Sequence, residues 1–331
     1  MKPKRIYYEP AIYNYELGKR LMNRYKDVPC IEIESHNRIE ELQKRSNADF
    51  VEMKKYLIIG IRKTHKYVPN EKSSDYLVPY TSSGCSAMCL YCYLVCNYNK
   101  CSYLRLFVNV EQMLDNLIKK SHQTEKPCTF EIGSNSDMIL ENQITGNLER
   151  TIERFGKQGR GYITFPTKFS MVDSILNLKH NGKTIVRMSL NPQEIITNVE
   201  YGTSSLEKRI EAINKLSEAG YKIGILIAPV IFIDNWRILY LELLDKLNST
   251  LLDKVKNELV IEIIFMTYSY VQNAINDQAF PKALKLYNKN IMTGRGRGKY
   301  WYKKEYRDEA EIFFREEIKK RFDCAQIMYI V

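Results

Sequence analysis

No apolar run in this 331-residue chain comes near the roughly 18–20 residues needed to cross a bilayer. The longest, Ile223 to Ile233, is short and interrupted by Pro229. The opening residues, MKPKRIYYEP, bring charge but no apolar stretch of the kind a signal peptide carries. The expectation is therefore a cytoplasmic protein with no membrane partner. In a reducing compartment, eight cysteines point to metal binding or catalysis rather than to a disulfide framework. Acidic residues are also in short supply, 39 against 50 basic ones, which leaves a formal charge of +11. Together with 24 tyrosines, that balance suits phosphate backbones and stacked bases, though an ordinary basic protein shares it. A hydrophobic share of 44% and a charged share of 27% are those of a globular enzyme, and the length allows one large or two ordinary domains.

The stretch that organises the chain is Thr81 to Tyr93, TSSGCSAMCLYCY. It sets Cys85, Cys89 and Cys92 in a C-x₃-C-x₂-C spacing, with Tyr91 and Tyr93 flanking the third cysteine. Three thiolates so close in a loop can hold three irons of a [4Fe–4S] cube and leave the fourth without a protein ligand. An open iron can bind a small molecule directly. The segment resembles the cluster loop of the radical S-adenosylmethionine enzymes. A zinc knuckle is the competing reading, with Cys96 and Cys101 nearby, but it would want a fourth ligand at finger-like spacing.

From residue 76 onward, apolar runs of strand length alternate with segments of helical period. The runs are Tyr76–Thr81, Cys128–Ile132, Gly161–Phe165, Thr184–Leu190, Lys222–Ala228 and Glu258–Phe265. The intervening helices are expected over Val110–Lys120, Gln143–Phe155, Lys168–Leu178, Ser205–Ala219 and Trp236–Leu247. This rhythm predicts an α/β fold with a parallel sheet covered by helices. Six strands suit an open, partial (β/α)₆ TIM-type barrel, with a flat doubly wound sheet as the other possibility. Residues 1–75 read as a small N-terminal α/β extension and 76–331 as the barrel unit. Chemistry in such folds sits at the carboxyl ends of the strands. Those ends carry the Cys85 loop, Ser134 to Asp137, Pro166 to Lys168, Ser189 with Asn191, Ala228-Pro229 and Met266-Thr267. The set is small and polar, and it suits a nucleoside with an amino-acid tail.

Near the end, Ile291 to Tyr302 (IMTGRGRGKYWY) sets Arg295, Arg297 and Lys299 among glycines and then runs into Tyr300, Trp301 and Tyr302. Glycines let a backbone approach a partner, arginines clamp phosphates, and aromatic rings stack on bases. A C-terminal basic β-hairpin that meets nucleic acid is expected here. A closing helix over Glu309–Arg321 and a last strand over Ala325–Val331 follow.

From about Ile31 to its end, the chain resembles the spore photoproduct lyase family, radical S-adenosylmethionine enzymes that reverse a thymine dimer in the DNA of ultraviolet-irradiated spores. The resemblance is carried by IEIESHN (Ile31–Asn37), the cysteine loop, YLRLFVN (Tyr103–Asn109), FEIGSNSD (Phe130–Asp137), TKF (Thr167–Phe169), VRMSLN (Val186–Asn191), IAP (Ile227–Pro229) and GRGRGKY (Gly294–Tyr300). It implies a [4Fe–4S] cluster on Cys85, Cys89 and Cys92, and S-adenosyl-L-methionine held by Ser136, Lys168, Ser189 and the Ala228 backbone, with Ser134 beside them. It further implies a hydrogen relay through Tyr91 and Tyr93, and lesion contacts from Arg295 and Arg297 with Lys299 and Tyr300. The implied reaction turns 5-thyminyl-5,6-dihydrothymine into two thymines through a 5′-deoxyadenosyl radical. The implied partners are ultraviolet-damaged DNA and an electron donor such as flavodoxin or ferredoxin, in the spore core or germinating cell.

One position departs from the family pattern. Four places after Phe130, where the better-known lyases carry a hydrogen-donating cysteine, stands Ser134. An O–H bond is far stronger than an S–H bond, so the serine is a poor substitute. Cys96, Cys101 and Cys128 are the alternative thiols, with Cys96 the best placed. The departure also leaves open a divergent relative that acts on another substrate, or a non-catalytic nucleic-acid binder whose cysteines hold a structural metal.

Overall fold

The computed structural model describes residues 2–78, 80–96 and 103–331, and Cys101 lies outside them. Its larger sheet runs, edge to edge, through Gln326–Ile330, Val260–Phe265, Lys222–Val230, Thr184–Leu190, Tyr162–Thr167, Thr129–Glu131, Tyr76–Leu77 and Val68–Pro69. All neighbours from Tyr76–Leu77 to Gln326–Ile330 pair in parallel, and only the edge pair with Val68–Pro69 is antiparallel. Spatial order follows chain order without reversal, whereas a doubly wound sheet reverses at a switch point. The arrangement is α/β and consistent with a partial TIM-type barrel.

The central strands form because TIVRMSL, KIGILIAPV and VIEIIF are rich in β-branched residues. Val186, Met188, Ile225, Ile227, Ile261 and Ile263 are buried in one core with Ile213 and Leu216 of the helix Leu206–Glu218 and Leu243 and Leu244 of Trp236–Thr250. The alternate positions on these strands are mixed, with Arg187, Ser189, Gly224, Ala228 and Glu262 among apolar residues. Arg187 donates to both oxygens of Glu262, at 3.2 and 3.0 Å, to Thr164 Oγ1 at 3.1 Å and to Glu131. Gly224 leaves room for this guanidinium, since a Cβ there would come within 3.1 Å of Arg187 Cγ. One step further along the same alternation, Ser189, Leu226, Ala228 and Ile264 line a cavity.

Three expected elements come out differently. Residues 168–172 form no helix, and only the 3₁₀ turn Asp173–Ile175 lies in the expected Lys168–Leu178 span. The reason is tertiary: the Lys168 carbonyl, which a helix would offer to Val172, accepts from the Ser204 amide at 3.1 Å, and the Val172 amide donates to Ser170 O at 2.9 Å. The span Gln143–Phe155 is two helices, Met138–Thr145 and Asn147–Gln158, broken where Gly146 takes φ 71°. Among the described residues of Tyr76–Thr81, only Tyr76–Leu77 is strand.

A second sheet orders Cys30–Glu32, Arg5–Tyr8, Tyr56–Gly60, Leu104–Phe107 and Ser82–Ser83. The sheet begun in residues 1–75 thus reaches the start of the cysteine loop, since Ser82–Ser83 pairs antiparallel with Leu104–Phe107. Ile6, Leu21, Leu57, Ile59, Leu104 and Leu106 pack on one side of it, and Tyr7, Phe50, Tyr56 and Ile58 on the other. A third, antiparallel sheet joins Thr267–Ser269 to Lys299–Tyr302 and that strand to Met292–Gly296.

Candidate active site

The cysteine loop leaves its strand through Gly84, whose φ of 78° suits glycine, and is fastened there to the next strand end. Gly84 N donates to Asn135 O at 2.7 Å, and the Ser82 and Ser136 hydroxyls are 2.7 Å apart. Asp137 ties two strand ends together. It caps the helix Met138–Thr145 by accepting from the Ile139 and Leu140 amides, and it also accepts from Thr167 Oγ1 at 2.8 Å and from the Lys168 amide. From the other side, Lys54 Nζ reaches in from the N-terminal sheet region and donates to Cys85 O at 2.6 Å.

These fastenings bring the cysteines and the strand-end residues onto one cavity of about 300 Å³. Cys85, Cys89, Cys92, Tyr91, Tyr93, Ser134, Ser136, Lys168, Ser189 and Ala228 all line it, with Leu226, Pro229, Ile264 and Phe265 as apolar wall. Among the described residues, no three His, Cys, Asp or Glu side chains converge at single-ion distance. The three thiols instead face a shared space, and their soft donor set fits an iron–sulfur cluster. Burial pushes the Cys85 thiol up to about 12 and the Cys89 thiol higher still, so each keeps its proton until a metal displaces it.

On the strand-end side, charge is paired. Lys168 Nζ donates to Ser189 Oγ at 2.6 Å, Ala228 O at 2.8 Å and Glu200 Oε1 at 3.0 Å, which uses all three ammonium protons. Ser189 Oγ donates to the same Ala228 carbonyl at 2.9 Å. Glu200 is fully buried and also accepts from Arg209 Nη2 at 2.7 Å. Burial would raise this carboxyl, but Lys168 and Arg209 hold it at about 2. The Tyr91 hydroxyl donates to Glu200, and burial together with that carboxylate raises the phenol well above its usual range. Tyr93 is 55% exposed, and its hydroxyl donates to the backbone carbonyl of Ser134.

Six candidates among the described residues stand outside the cavity lining. The exposed Cys96 has its Sγ 3.2 Å from Ser269 Oγ, on the strand whose Thr267 does line the cavity. Arg295, Arg297, Lys299 and Tyr300 lie on the antiparallel sheet that Thr267–Ser269 joins. Its turn takes positive φ at Gly296, Arg297 and Gly298. Arg295 stacks over Trp301 at 4.8 Å, Arg307 does so at 4.3 Å, and Tyr300 packs on Tyr287 at 4.7 Å. Cys128, buried just before the strand Thr129–Glu131, is at the opposite end of that strand from Ser134. Glu200 and Arg209 were not among the sequence candidates. Their only signal was a charge near the end of one short helix and another within a longer one.

The spore photoproduct lyase family model matches residues 1–331. The chain is 33% identical to the spore photoproduct lyase of Bacillus subtilis (strain 168), over 99% of this chain and 98% of that protein. It is 32% identical to the enzyme of the same name from Geobacillus sp. (strain Y412MC61), with the same coverage. Among solved structures, a spore photoproduct lyase mutant with bound AdoMet and dinucleoside spore photoproduct superimposes with a TM-score of 0.91, at 30% identity and 99% coverage of both chains. A spore photoproduct lyase complexed with dinucleoside spore photoproduct gives the same figures. With the family model matched over residues 1–331 and relatives above 30% identity over nearly their whole length, this chain belongs to the spore photoproduct lyase family of radical S-adenosylmethionine lyases.

Proposed function

We propose that this chain reverses the spore photoproduct in ultraviolet-damaged DNA, 5-thyminyl-5,6-dihydrothymine, to two thymines. The observation that carries the reading is a single cavity, at the carboxyl ends of parallel strands, that takes in all three loop cysteines with Ser134, Ser136, Lys168, Ser189 and Ala228. Cys85, Cys89 and Cys92 would hold a [4Fe–4S] cluster with one iron left open. Ser134, Ser136, Lys168, Ser189 and the Ala228 carbonyl would hold S-adenosyl-L-methionine. Bound there, the pair supplies a 5′-deoxyadenosyl radical, with flavodoxin or ferredoxin as the electron source.

The chain's own part is position, dryness and hydrogen return. Leu226, Pro229, Ile264 and Phe265 wall the space against water. Tyr93, its hydroxyl at the Ser134 carbonyl, and Tyr91, its hydroxyl at Glu200, form the relay that passes a hydrogen atom. Cys96 is the thiol donor in this reading, since it sits at the junction between the cavity rim and the basic sheet. Arg295, Arg297, Lys299 and Tyr300 hold the damaged strand with the lesion turned out of the duplex, which is less costly for a damaged base. We place the protein in the cytoplasm of the spore or germinating cell, with residues 76–331 as the radical S-adenosylmethionine unit and 1–75 as its extension.

A second reading is favoured by one observation. Ser134 faces the cavity, and among the described residues the lining holds no thiol beyond the three loop cysteines. A lyase-like enzyme that acts on another substrate fits that lining. Anaerobic incubation of the iron-reconstituted protein with S-adenosyl-L-methionine, dithionite and dinucleotide spore photoproduct separates the two. Formation of thymidylyl-thymidine supports the first; cofactor cleavage without repair supports the second.

A further inference from the structure

The cavity's charge network converges on a residue that the sequence did not single out. Glu200 sits at the end of the helix Gln193–Val199, in a two-residue strand that pairs Glu200 with Cys89 and Tyr201 with Met88. Leu90 N donates to Val199 O at 2.9 Å, so the backbone here is laced to the cysteine loop on both sides of Cys89. The two carboxylate oxygens divide their partners. Oε2 accepts from Arg209. Oε1 accepts from Lys168 Nζ at 3.0 Å, from Asn191 Nδ2 at 2.9 Å and from the Tyr91 hydroxyl. Those three donors come from three parts of the site: one strand end, the next strand end and the cysteine loop.

A carboxylate that served only to neutralise the buried Arg209 would not need this second set. Arg209 is itself held by Ser189 O at 2.8 Å, Ser204 O at 2.9 Å and Thr203 Oγ1 at 2.7 Å. Lys168 spends its three protons on Ser189, Ala228 and Glu200, so it can meet a ligand only by exchanging one of these bonds. Its position fixes where the Ser189 hydroxyl and the Ala228 carbonyl stand, and Glu200 fixes Lys168.

We propose that Glu200 is a positioning residue that sets the Lys168–Ser189–Ala228 wall in place against the cysteine loop and Tyr91. This proposal rests on the reading that the wall binds S-adenosyl-L-methionine. Withdrawing Oε1 should loosen the wall while the three cysteines keep their cluster. The informative variant is Glu200→Asp, which retains the charge that balances Arg209 but pulls the carboxylate back by one methylene. Glu200→Gln, which keeps the length and removes the charge, is its companion.

Each variant is purified and reconstituted anaerobically, and iron content and melting temperature are recorded. S-adenosyl-L-methionine is then titrated against the electron paramagnetic resonance signal of the dithionite-reduced cluster. The expected result is unchanged iron and an at least tenfold higher half-saturation for Glu200→Asp, with a larger increase for Glu200→Gln if it folds. A Glu200→Asp half-saturation within twofold of the unsubstituted protein overturns the proposal, because charge balance would then be the whole role. Loss of iron in Glu200→Asp overturns it too, since the residue would be holding the loop and not the wall. An unsubstituted protein whose signal ignores S-adenosyl-L-methionine brings down the cofactor reading itself, a failure distinct from either.

Discussion

The mouth of the barrel and the antiparallel sheet that adjoins it handle charge in opposite ways. Inside, Lys168 and Arg209 both pair with one buried carboxylate, and every donor of the ammonium has an acceptor. Outside, Arg295, Arg297 and Lys299 are exposed, and among the described residues no ion pair engages them; Arg295 has only an indole face. A fully paired buried network resists rearrangement and so holds one geometry. Unpaired surface cations lose little when a phosphate arrives and release counterions as it does. The first region suits a small molecule held in one place and the second suits a polyanion, and the two share the strand Thr267–Ser269.

The largest expected effect breaks the inside. Replacing Cys85, Cys89 or Cys92 by Ala should abolish the brown colour and the iron of the reconstituted protein, whereas Cys96→Ala should leave both intact. Iron assay and absorbance check this. Cys96→Ala should also divert the repaired product toward side products, and unaffected repair would remove Cys96 as the donor.

Next in size is Arg209→Met. It leaves Glu200 buried with one cation where it had two, and breaking a buried pair from one side costs about 3–5 kcal/mol. The melting temperature should fall by several degrees, measured on the metal-free chain so that cluster loss does not confuse the reading. An equal fall on replacing an exposed pair such as Arg315–Glu311 would erase the contrast between inside and outside.

How much of this contrast was legible beforehand depends on how local each signal is. The proposed cluster ligands are a matter of spacing within one loop, so Cys85, Cys89 and Cys92 stand out as candidates from the sequence itself. The strand ends followed from apolar runs, which is how Ser136, Lys168, Ser189 and Ala228 were found before their shared cavity was known. Arg209 could not be found that way: on the helix Leu206–Glu218 it reads as one more solvated cation among Lys208 and Lys215. Only packing against the strand end Ser189 and the loop 203–204 takes it to 0% exposure. Glu200 likewise acquires its meaning from four partners spread between positions 91 and 209. The missing helix after Thr167 failed for a related reason, since Ser204, thirty-six residues away from Lys168, takes the carbonyl that a helix would have used.

A third prediction concerns pH. Glu141 is fully buried behind the cysteine loop, and burial raises its carboxyl from 4.5 to about 7, held back in part by Thr145, Asn147 and Thr81 at 2.7, 2.8 and 3.2 Å. A group with a raised folded value favours folding most while it is protonated in both states. That advantage is complete below about pH 4.5 and drains away as pH climbs through about 7. Glu141→Gln cannot lose a proton, so its stability relative to the unsubstituted chain should improve by roughly 3 kcal/mol between pH 4.5 and pH 8. Urea unfolding at the two pH values measures it. A constant difference would mean that the carboxyl titrates alike in the folded and unfolded chain.

The smallest effect sharpens the outside. Arg295→Gln or Arg297→Gln should leave iron content and melting temperature unchanged, because neither side chain belongs to the buried network. Each should weaken binding of a damaged oligonucleotide and flatten the plot of log affinity against log salt by about 0.9 per phosphate contact removed. Arg297 stands at the tip of the turn with φ 51°, so Arg297→Gly relieves the backbone while deleting the cation and separates the two contributions. If affinity falls without any change in salt slope, these arginines act through Trp301 and Tyr300 stacking instead, and the outer sheet is an aromatic platform more than an electrostatic one.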